Sequence, residues 1–365
     1  MRCVKCVLTD SVENVKIDEK GVCNFCNSFE KKKSADKISP FKDEKDLIEC
    51  LEKLRDPSRK YDVLVPVSGG VDSSYALITI VEKFKLKALA YHNDHGYEDK
   101  TATENVKKLC KELNTDLVIL QHDFAFMKKL WKYVNETSIK GVSCCYACGN
   151  IIFINSIELA DRYNIPLVMN GYSKGQAAMT NDKSSSLDLL EKQIEIFQNT
   201  GDREFFNEFM GKYKILERKK SFVTREDLEN QNESDRILVI PFYIFDFYKT
   251  NKSVLAEEVK KRFDWQPLKT SYPNRTTNCE MIWLNTYMDR SKMGYSMYEI
   301  EYSELVREGE LSRELALSDL EFNPPAGLVE RLAQEVDVDI NKFKDKDSSL
   351  EKQTKNKKLE ADFHF

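Results

Sequence analysis

The first clear period in the chain is helical: between Asp43 and Leu54, apolar Leu47, Ile48, Leu51 and Leu54 recur three and four apart on one face. From Tyr61 the pattern changes. Short β-rich apolar runs at Asp62–Val67, Lys87–His92, Asp116–Leu120, Pro166–Asn170 and Ile237–Pro241 alternate with helical stretches at Val71–Phe84, Thr101–Leu113 and Ile151–Tyr163. In the first of these helices Val71, Tyr75, Ile78 and Val81 face inward. Apolar strands separated by helices predict stacked βαβ units, hence an α/β fold with a doubly wound parallel five-stranded sheet.

Residues 180–235 interrupt this alternation with charged, helix-favouring sequence, Leu187–Gln198 and Arg203–Lys212. An insertion there is expected either as a solvated excursion or as a substrate lid over the carboxyl edge of the sheet. Residues 250–338 read as a helical C-terminal region. The last stretch, with seven lysines and five acids between Asn341 and Phe365, reads as a disordered tail over 339–365. Residues 1–30 are Cys-rich, and 31–60 form a charged linker with its helix.

Composition narrows the function classes. At 365 residues and 41% apolar the chain can bury at least one large core, and a net charge of −5 gives no broad basic field for nucleic acid. The longest nearly apolar stretch, Ile237–Phe245, is far too short to span a bilayer, and the N-terminus lacks the apolar segment of a secretory signal. A reducing, cytoplasmic setting is expected. Ten cysteines, mostly in closely spaced groups, then point to metal or sulfur chemistry rather than disulfides.

The sharpest local signal is Val63-Leu-Val-Pro-Val-Ser68-Gly69-Gly70-Val71-Asp72-Ser73-Ser74, a strand running through two glycines into a helix. A helix N-terminus presents unpaired amides and a positive dipole end, and glycines let the backbone approach a phosphate closely. A plain strand-to-helix corner is the alternative for the glycines alone. Ser68-Gly69-Gly70-Val71-Asp72-Ser73 resembles the SGGxDS motif of the PP-loop ATP pyrophosphatases, enzymes of the adenine nucleotide alpha hydrolase-like fold. That resemblance implies cleavage of ATP to AMP and pyrophosphate with Mg²⁺, Ser68 to Ser74 around the nucleotide, and transfer of AMP to a carbonyl oxygen. It assigns residues 61–249 to the ATPase domain. It also makes Asp94, in His92-Asn-Asp94-His-Gly96, a ligand of the nucleotide or its metal, with an Asx turn closed by Gly96 as the alternative. Gly171 and Lys174, in Asn170-Gly171-Tyr-Ser-Lys174, fall at the second phosphate-side motif, where Lys174 would neutralise phosphate charge if it is more than an exposed loop lysine.

Cys3-x2-Cys6, sixteen residues and Cys23-x2-Cys26 have the spacing of a four-cysteine zinc ribbon. A segment this short with little to bury needs such a staple; four buried free thiols are the alternative. The second group, Cys144-Cys145-Tyr-Ala-Cys148, reads as preceding a helix, where thiol pKa values fall. It resembles the CxxC of PP-loop tRNA thiolases, which implies that Cys145, Cys148 and a later cysteine, Cys279, relay sulfur or hold an iron–sulfur cluster. A structural zinc or buried thiols remain open.

Over roughly residues 1–325, the chain is similar to the N-acetyl sugar amidotransferase family of surface-polysaccharide assembly. The resemblance rests on the N-terminal cysteines with Gly21-Val-Cys23-Asn-Phe-Cys26, the phosphate loop, His92-x-Asp94-x-Gly96, Gly294-Tyr295 and Leu305-Val-Arg307-Glu-Gly-Glu-Leu-Ser-Arg313-Glu314. It implies that ammonia displaces AMP from an adenylated acetamido group to give an amidine. Sulfur insertion giving a thioamide or thiocarbonyl is the competing chemistry, and a non-catalytic nucleotide-binding scaffold is the non-enzymatic one. Arg2 follows the initiator methionine where one class of glutaminase needs cysteine, and no Gly-x-Cys-x-Gly elbow occurs. The expected partners are therefore a small-molecule acceptor and a separate glutaminase subunit, or a sulfur donor protein. Nucleic acid is not expected, and an oligomer is open.

Overall fold

The computed structural model describes residues 1–32, 41–172, 183–220, 223, 225–229, 236–241, 252–268, 271–273 and 277–343. The N-terminal segment ends in α1 (Asn24–Lys32), and α2 (Glu44–Lys53) follows, its Asp43 side chain capping the Asp46 amide. The sheet then begins. β1 (Val63–Pro66), α3 (Val71–Ile78), β2 (Ala88–Asp94), α4 (Lys100–Glu112), β3 (Asp116–Gln121), α5 (Phe124–Glu136), α6 (Cys144–Arg162) and β4 (Leu167–Asn170) run in sequence. The helix expected over Val71–Phe84 is present, but its second half, Thr79–Lys83, widens into a π-turn.

All five strands read from the sequence pair in parallel, and a two-residue edge strand joins them. With β5 (Lys219–Lys220) and β6 (Ile237–Pro241) the order is β3-β2-β1-β4-β6-β5. The chain winds outward from β1 to β2 and β3, then returns to lay β4 on the other side of β1. This reversal opens a crevice beyond the carboxyl ends of β1 and β4, the place where open α/β sheets bind ligands.

Both faces of the sheet are covered, which is why its strands read as continuous apolar runs. Val63, Val65, Ala90, Met169 and Ile240 face a core built with α2, α3, α4 and α10 (Lys252–Arg262), where Phe41, Leu77, Leu109 and Val259 are buried. Leu64, Leu89, Tyr91, Val168 and Val239 face α6, with Ile157, Leu159 and Ala160.

The insertion is built into the body. Its helices α7 (Lys183–Asn199) and α8 (Arg203–Tyr213) bury Phe197, Phe205 and Phe209 against α5, whose Phe126 ring stacks on Phe205 at 5.0 Å. A 3-10 turn, Lys214–Arg218, leads into β5. Short α9 (Arg225–Glu229) buries Leu228 in the core beside α2, with Arg225 paired to Asp46. Helix α5, not foreseen from the pattern, is capped by Asp123.

After α10 come α11 (Ile282–Met293), α12 (Met297–Arg307), α13 (Arg313–Asp319) and α14 (Leu328–Glu335). Val338 and Phe343 are still buried against this bundle, while residues 344–365 of the expected tail lie outside the described residues. Among the described residues no helix is long and apolar enough to cross a membrane.

Candidate functional site: a phosphate loop and two cysteine groups

The loop leaving β1 is knitted by its own serines. Ser73 Oγ accepts the Ser68 amide at 3.1 Å and lies 3.0 Å from Ser68 Oγ. Gly69 has φ +78°, and a Cβ there would lie 2.2 Å from the Ala102 carbonyl oxygen in α4, so only glycine fits. Gly70 is the extended N-cap of α3, and Asp72 stands half-buried in its first turn. Val71 and Ser74 are buried beneath the loop, the Ser74 hydroxyl without a hydrogen-bond partner among the described residues.

Gly171 follows β4, beside the loop. A Cβ there would lie 2.5 Å from Ser73 Cα and 2.9 Å from its amide nitrogen, so the chain after β4 presses on the N-terminus of α3. Topology has thus brought Ser68 to Ser74 and Gly171 together. Lys174 lies outside the described residues.

Behind the loop, at the carboxyl end of β2, His92 is buried, with Nδ1 2.9 Å from the Val67 carbonyl and Nε2 3.1 Å from Thr103 Oγ1. Asp94 Oδ1 accepts the Gly96 amide at 2.9 Å, the Asx turn weighed above. Glu98 folds back to accept the His95 and Gly96 amides, and His95 Nε2 stands 3.1 Å from its Oε1. Burial pushes the Glu98 carboxyl up to about 8, with Asp94 beside it adding to the shift. Burial also pulls His95 and His122 down to about 4. His95 Nδ1 accepts the Tyr97 amide, so the ring's single proton sits on Nε2, facing Glu98.

The segment before α11 runs against this turn. Cys279 bridges Glu98 in antiparallel fashion, Asp99 donates to the Asn278 carbonyl at 2.7 Å, and Glu280 donates to that of Tyr97 at 2.8 Å. Asn278 Nδ2 then reaches the Ser68 carbonyl at 2.8 Å. Cys279 therefore stands one residue from a direct contact with the phosphate loop.

The second cysteine group does not precede its helix: α6 starts at Cys144, seven residues before the expected Ile151, so the cysteines form its first turns. The helical period decides their partners. Cys148 is held below the ordinary thiol range by the thiol of Cys144, one turn back, and by Trp131 Nε1–H at 3.1 Å. Cys145 instead faces Asn285 Nδ2 at 3.8 Å and Tyr298, and burial pushes it up to about 12. Burial also raises Cys279, with Glu98, Cys145 and Cys148 close enough to add to the shift. The three are neighbours. Yet among the described residues only Cys3, Cys6, Cys23 and Cys26 bring three or more metal-binding atoms within 4.8 Å of one another.

Those four fit a tetrahedral zinc ion. Zinc–sulfur bonds of about 2.3 Å place sulfurs about 3.8 Å apart; Cys3 and Cys26 are separated by 3.9 Å, Cys6 and Cys23 by 3.7 Å. Backbone amides of Cys6 and Cys23 point at Cys3 Sγ, at 3.5 and 3.2 Å, and that of Cys26 at Cys23 Sγ at 3.4 Å. Hydrogen bonds from the thiols of Cys23 and Cys26 hold Cys6 far below the ordinary thiol range. Arg307 Nη1 lies 3.7 Å from Cys6 Sγ, and Arg313 Nε donates to the Cys6 carbonyl at 3.0 Å while its Nη2 reaches that of Cys3 at 3.0 Å. Both arginines belong to the Leu305–Glu314 motif, and Gly294 and Tyr295 also abut this segment. The C-terminal half of the family-like pattern thus clamps the N-terminal cysteines.

Sequence reasoning missed Glu98 and Asn278. Glu98 carried a local signal, an acid three residues after His95; Asn278 reaches the loop from across the fold.

No protein-family model matches the chain. An uncharacterised protein of Methanocaldococcus jannaschii is 29% identical over 181 residues, 47% of this chain; the match spans 59% of that curated relative's length. Among solved structures, a U34-tRNA thiolase of Methanococcus maripaludis with its [4Fe-4S] cluster aligns over 92% of this chain and 88% of its own, at 14% identity and TM-score 0.37. An NH3-dependent NAD synthetase of Campylobacter jejuni aligns over 80% and 91%, at 14% identity and TM-score 0.33. An NMN synthetase of Francisella tularensis aligns over 79% and 92%, at 14% identity and TM-score 0.34. Similarity of that size leaves the strand order and the loop geometry to stand on their own.

Proposed function

We propose that this chain is a PP-loop ATP pyrophosphatase that adenylates an amide or carbonyl oxygen of a small acceptor, an N-acetyl sugar, and lets ammonia displace AMP to leave an amidine. The observation that carries the reading is the Ser68–Ser74 loop at the sheet's reversal point. There a glycine-only backbone opens α3 and Gly171 closes in from β4. ATP phosphates would meet the loop amides and the dipole of α3, and Asp72 would hold the Mg²⁺ that travels with them. The acceptor oxygen attacks the α-phosphorus and pyrophosphate leaves. Ammonia then adds to the activated carbon, the bond from that carbon to the AMP oxygen breaks, and the surplus protons pass to solvent. A separate glutaminase subunit would supply the ammonia. Zinc at Cys3, Cys6, Cys23 and Cys26 would serve the fold.

One observation favours a second chemistry: Cys145, Cys148 and Cys279 gather beside the segment whose Asn278 touches the loop. In that reading a sulfur from a donor protein displaces AMP in place of ammonia.

The experiment supplies MgATP, an N-acetylated nucleotide-linked sugar and ammonium. Amidine, AMP and pyrophosphate should appear in equal amounts, and Asp72→Asn or Ser68→Ala should fold yet release at least a hundredfold less pyrophosphate. Parental pyrophosphate release from a folded Asp72→Asn protein removes the PP-loop reading. A thio product formed only with sulfide selects the second chemistry, and no turnover with either nucleophile selects the scaffold.

A further inference from the structure

Ser68 and Gly69 are where the chain leaves β1 and turns toward α3, and the carbonyls of both are capped by side chains from distant parts of the chain. Asn278 Nδ2 donates to the Ser68 carbonyl at 2.8 Å. Trp265 Nε1 and Asn105 Nδ2 both donate to that of Gly69, at 3.0 and 3.2 Å. In a planar trans peptide the carbonyl and the following N–H point in opposite directions. Fixing these two carbonyls on their caps therefore turns the Gly69 and Gly70 amides away from Asn278, Trp265 and Asn105, toward the side on which a ligand can approach.

Those amides are not otherwise engaged in the way a structural turn would require. Among the described residues the Gly69 amide has no hydrogen-bond partner, and that of Gly70 makes only a long contact, 3.4 Å, to Ser68 Oγ. A Ser-Gly-Gly stretch left to itself would sample many peptide orientations. Here it cannot. Asn105 is fully buried, its Oδ1 accepts the Gln266 amide at 3.0 Å, and its Nδ2 also reaches the Gln266 carbonyl at 2.8 Å. Its side-chain amide is thereby locked with Nδ2 toward the loop, and the chain bearing Trp265 is fastened to α4.

We propose that Asn105, Trp265 and Asn278 are positioning residues that hold the phosphate loop in its anion-accepting form, turning the Gly69 and Gly70 amides to the triphosphate of ATP before it arrives. The proposal rests on the loop being the ATP site. It assigns a positioning duty to the region after α10: through Trp265 and Asn278 that region fixes the peptide orientations of a loop about two hundred residues earlier in the chain. Donors fixed in advance cost no reorganisation when charge arrives, so their effect falls on phosphate affinity rather than on the fold.

Trp265→Phe keeps most of the buried ring and removes the N–H; Asn278→Ala removes a half-exposed amide and decides the matter should the first variant fail to fold. Calorimetric titration with MgATP and magnesium pyrophosphate should show about tenfold weaker binding in each variant, the scale of one lost hydrogen bond. Adenosine, followed by ligand-observed NMR, should bind as it does to the parent. A general loss of structure would weaken all three together, and that result overturns the positioning role. If the parent binds MgATP and pyrophosphate and both folded variants match it, the positioning role falls while the ATP reading stands. If the parent binds neither, the ATP reading itself falls.

Discussion

The two cysteine groups use one residue type at similar spacing and end in different physical states. In the N-terminal group, a bend at Cys3–Cys6 and the start of α1 at Cys23–Cys26 bring four sulfurs to tetrahedral separations, with backbone amides and Arg307 aimed at them. In the second group the cysteines lie on a helix, whose rise and turn sort them onto different neighbours: Cys148 to Cys144 and Trp131, Cys145 to Asn285 and Tyr298. Spacing alone names candidates for a metal. Whether thiolates can exist together depends on the donors around them, and burial raises Cys144 and Cys145 of the second group and Cys279 beside it.

The largest expected effect tests the first half of this comparison. Cys6→Ser should lose its equivalent of zinc, measured by elemental analysis, and the first thirty residues should become susceptible to brief proteolysis, because the metal supplies that segment's folding free energy, roughly 10 kcal/mol for a structural zinc. A full zinc equivalent and parental protease resistance in Cys6→Ser would falsify the ribbon assignment.

A smaller effect should come from the clamp. Arg313→Ala removes donors to the carbonyls of Cys3 and Cys6 while leaving every sulfur in place. Hydrogen bonds from charged groups contribute about 1.5–3 kcal/mol, so this variant should keep its zinc, lose about 2 kcal/mol of stability in denaturant titration and release the metal to a chelator faster. Parental stability and release would mean that α13 rests beside the ribbon without holding it.

How much of this was legible in advance follows the range of the interactions. The strands, the helix after the phosphate loop and the four-cysteine spacing are local patterns, repeated every two or 3.6 residues or set by two closely spaced cysteine pairs, and they read directly. The glycine pair of the loop also announced itself, though not that Ala102 would sit against Gly69. Cysteine and glycine are poor helix formers, which hides the start of α6 from the sequence, and burial of Cys144 and Ala147 outweighs that preference. Helix α5 carries a local signal, Phe126, Met127, Leu130, Trp131 and Val134 recurring three and four apart, while the surfaces it packs on, the insertion and the C-terminal bundle, are distant in sequence. The caps on the loop carbonyls are side chains with no spacing relation to Ser68. The motif at Leu305–Glu314 pointed to a family, and only the fold reveals that two of its arginines serve the ribbon.

The smallest expected effect bears on the second half of the comparison and separates the two chemistries. An enzyme that uses ammonia needs Cys145 and Cys148 only for packing, since ammonia is itself the nucleophile and need only reach the activated carbon. An enzyme that inserts sulfur needs a thiolate or a sulfur-bearing group within near-attack distance of that carbon, roughly 3–3.5 Å, and loses its product when the thiol goes. The geometry around Cys148 allows a clean substitution, because a serine hydroxyl can accept the Trp131 N–H that now meets sulfur. Cys145 is as easily replaced, for its Asn285 contact is long, at 3.8 Å. We expect Cys145→Ser and Cys148→Ser each to cost about 1 kcal/mol of stability, to bind ATP as the parent does and to form amidine from ammonium within twofold of the parental rate. Product chromatography with ammonium and with sulfide, run side by side on both folded variants, checks this. Abolished product at undiminished ATP affinity would transfer the assignment to sulfur, and would make Cys279 the next residue to replace.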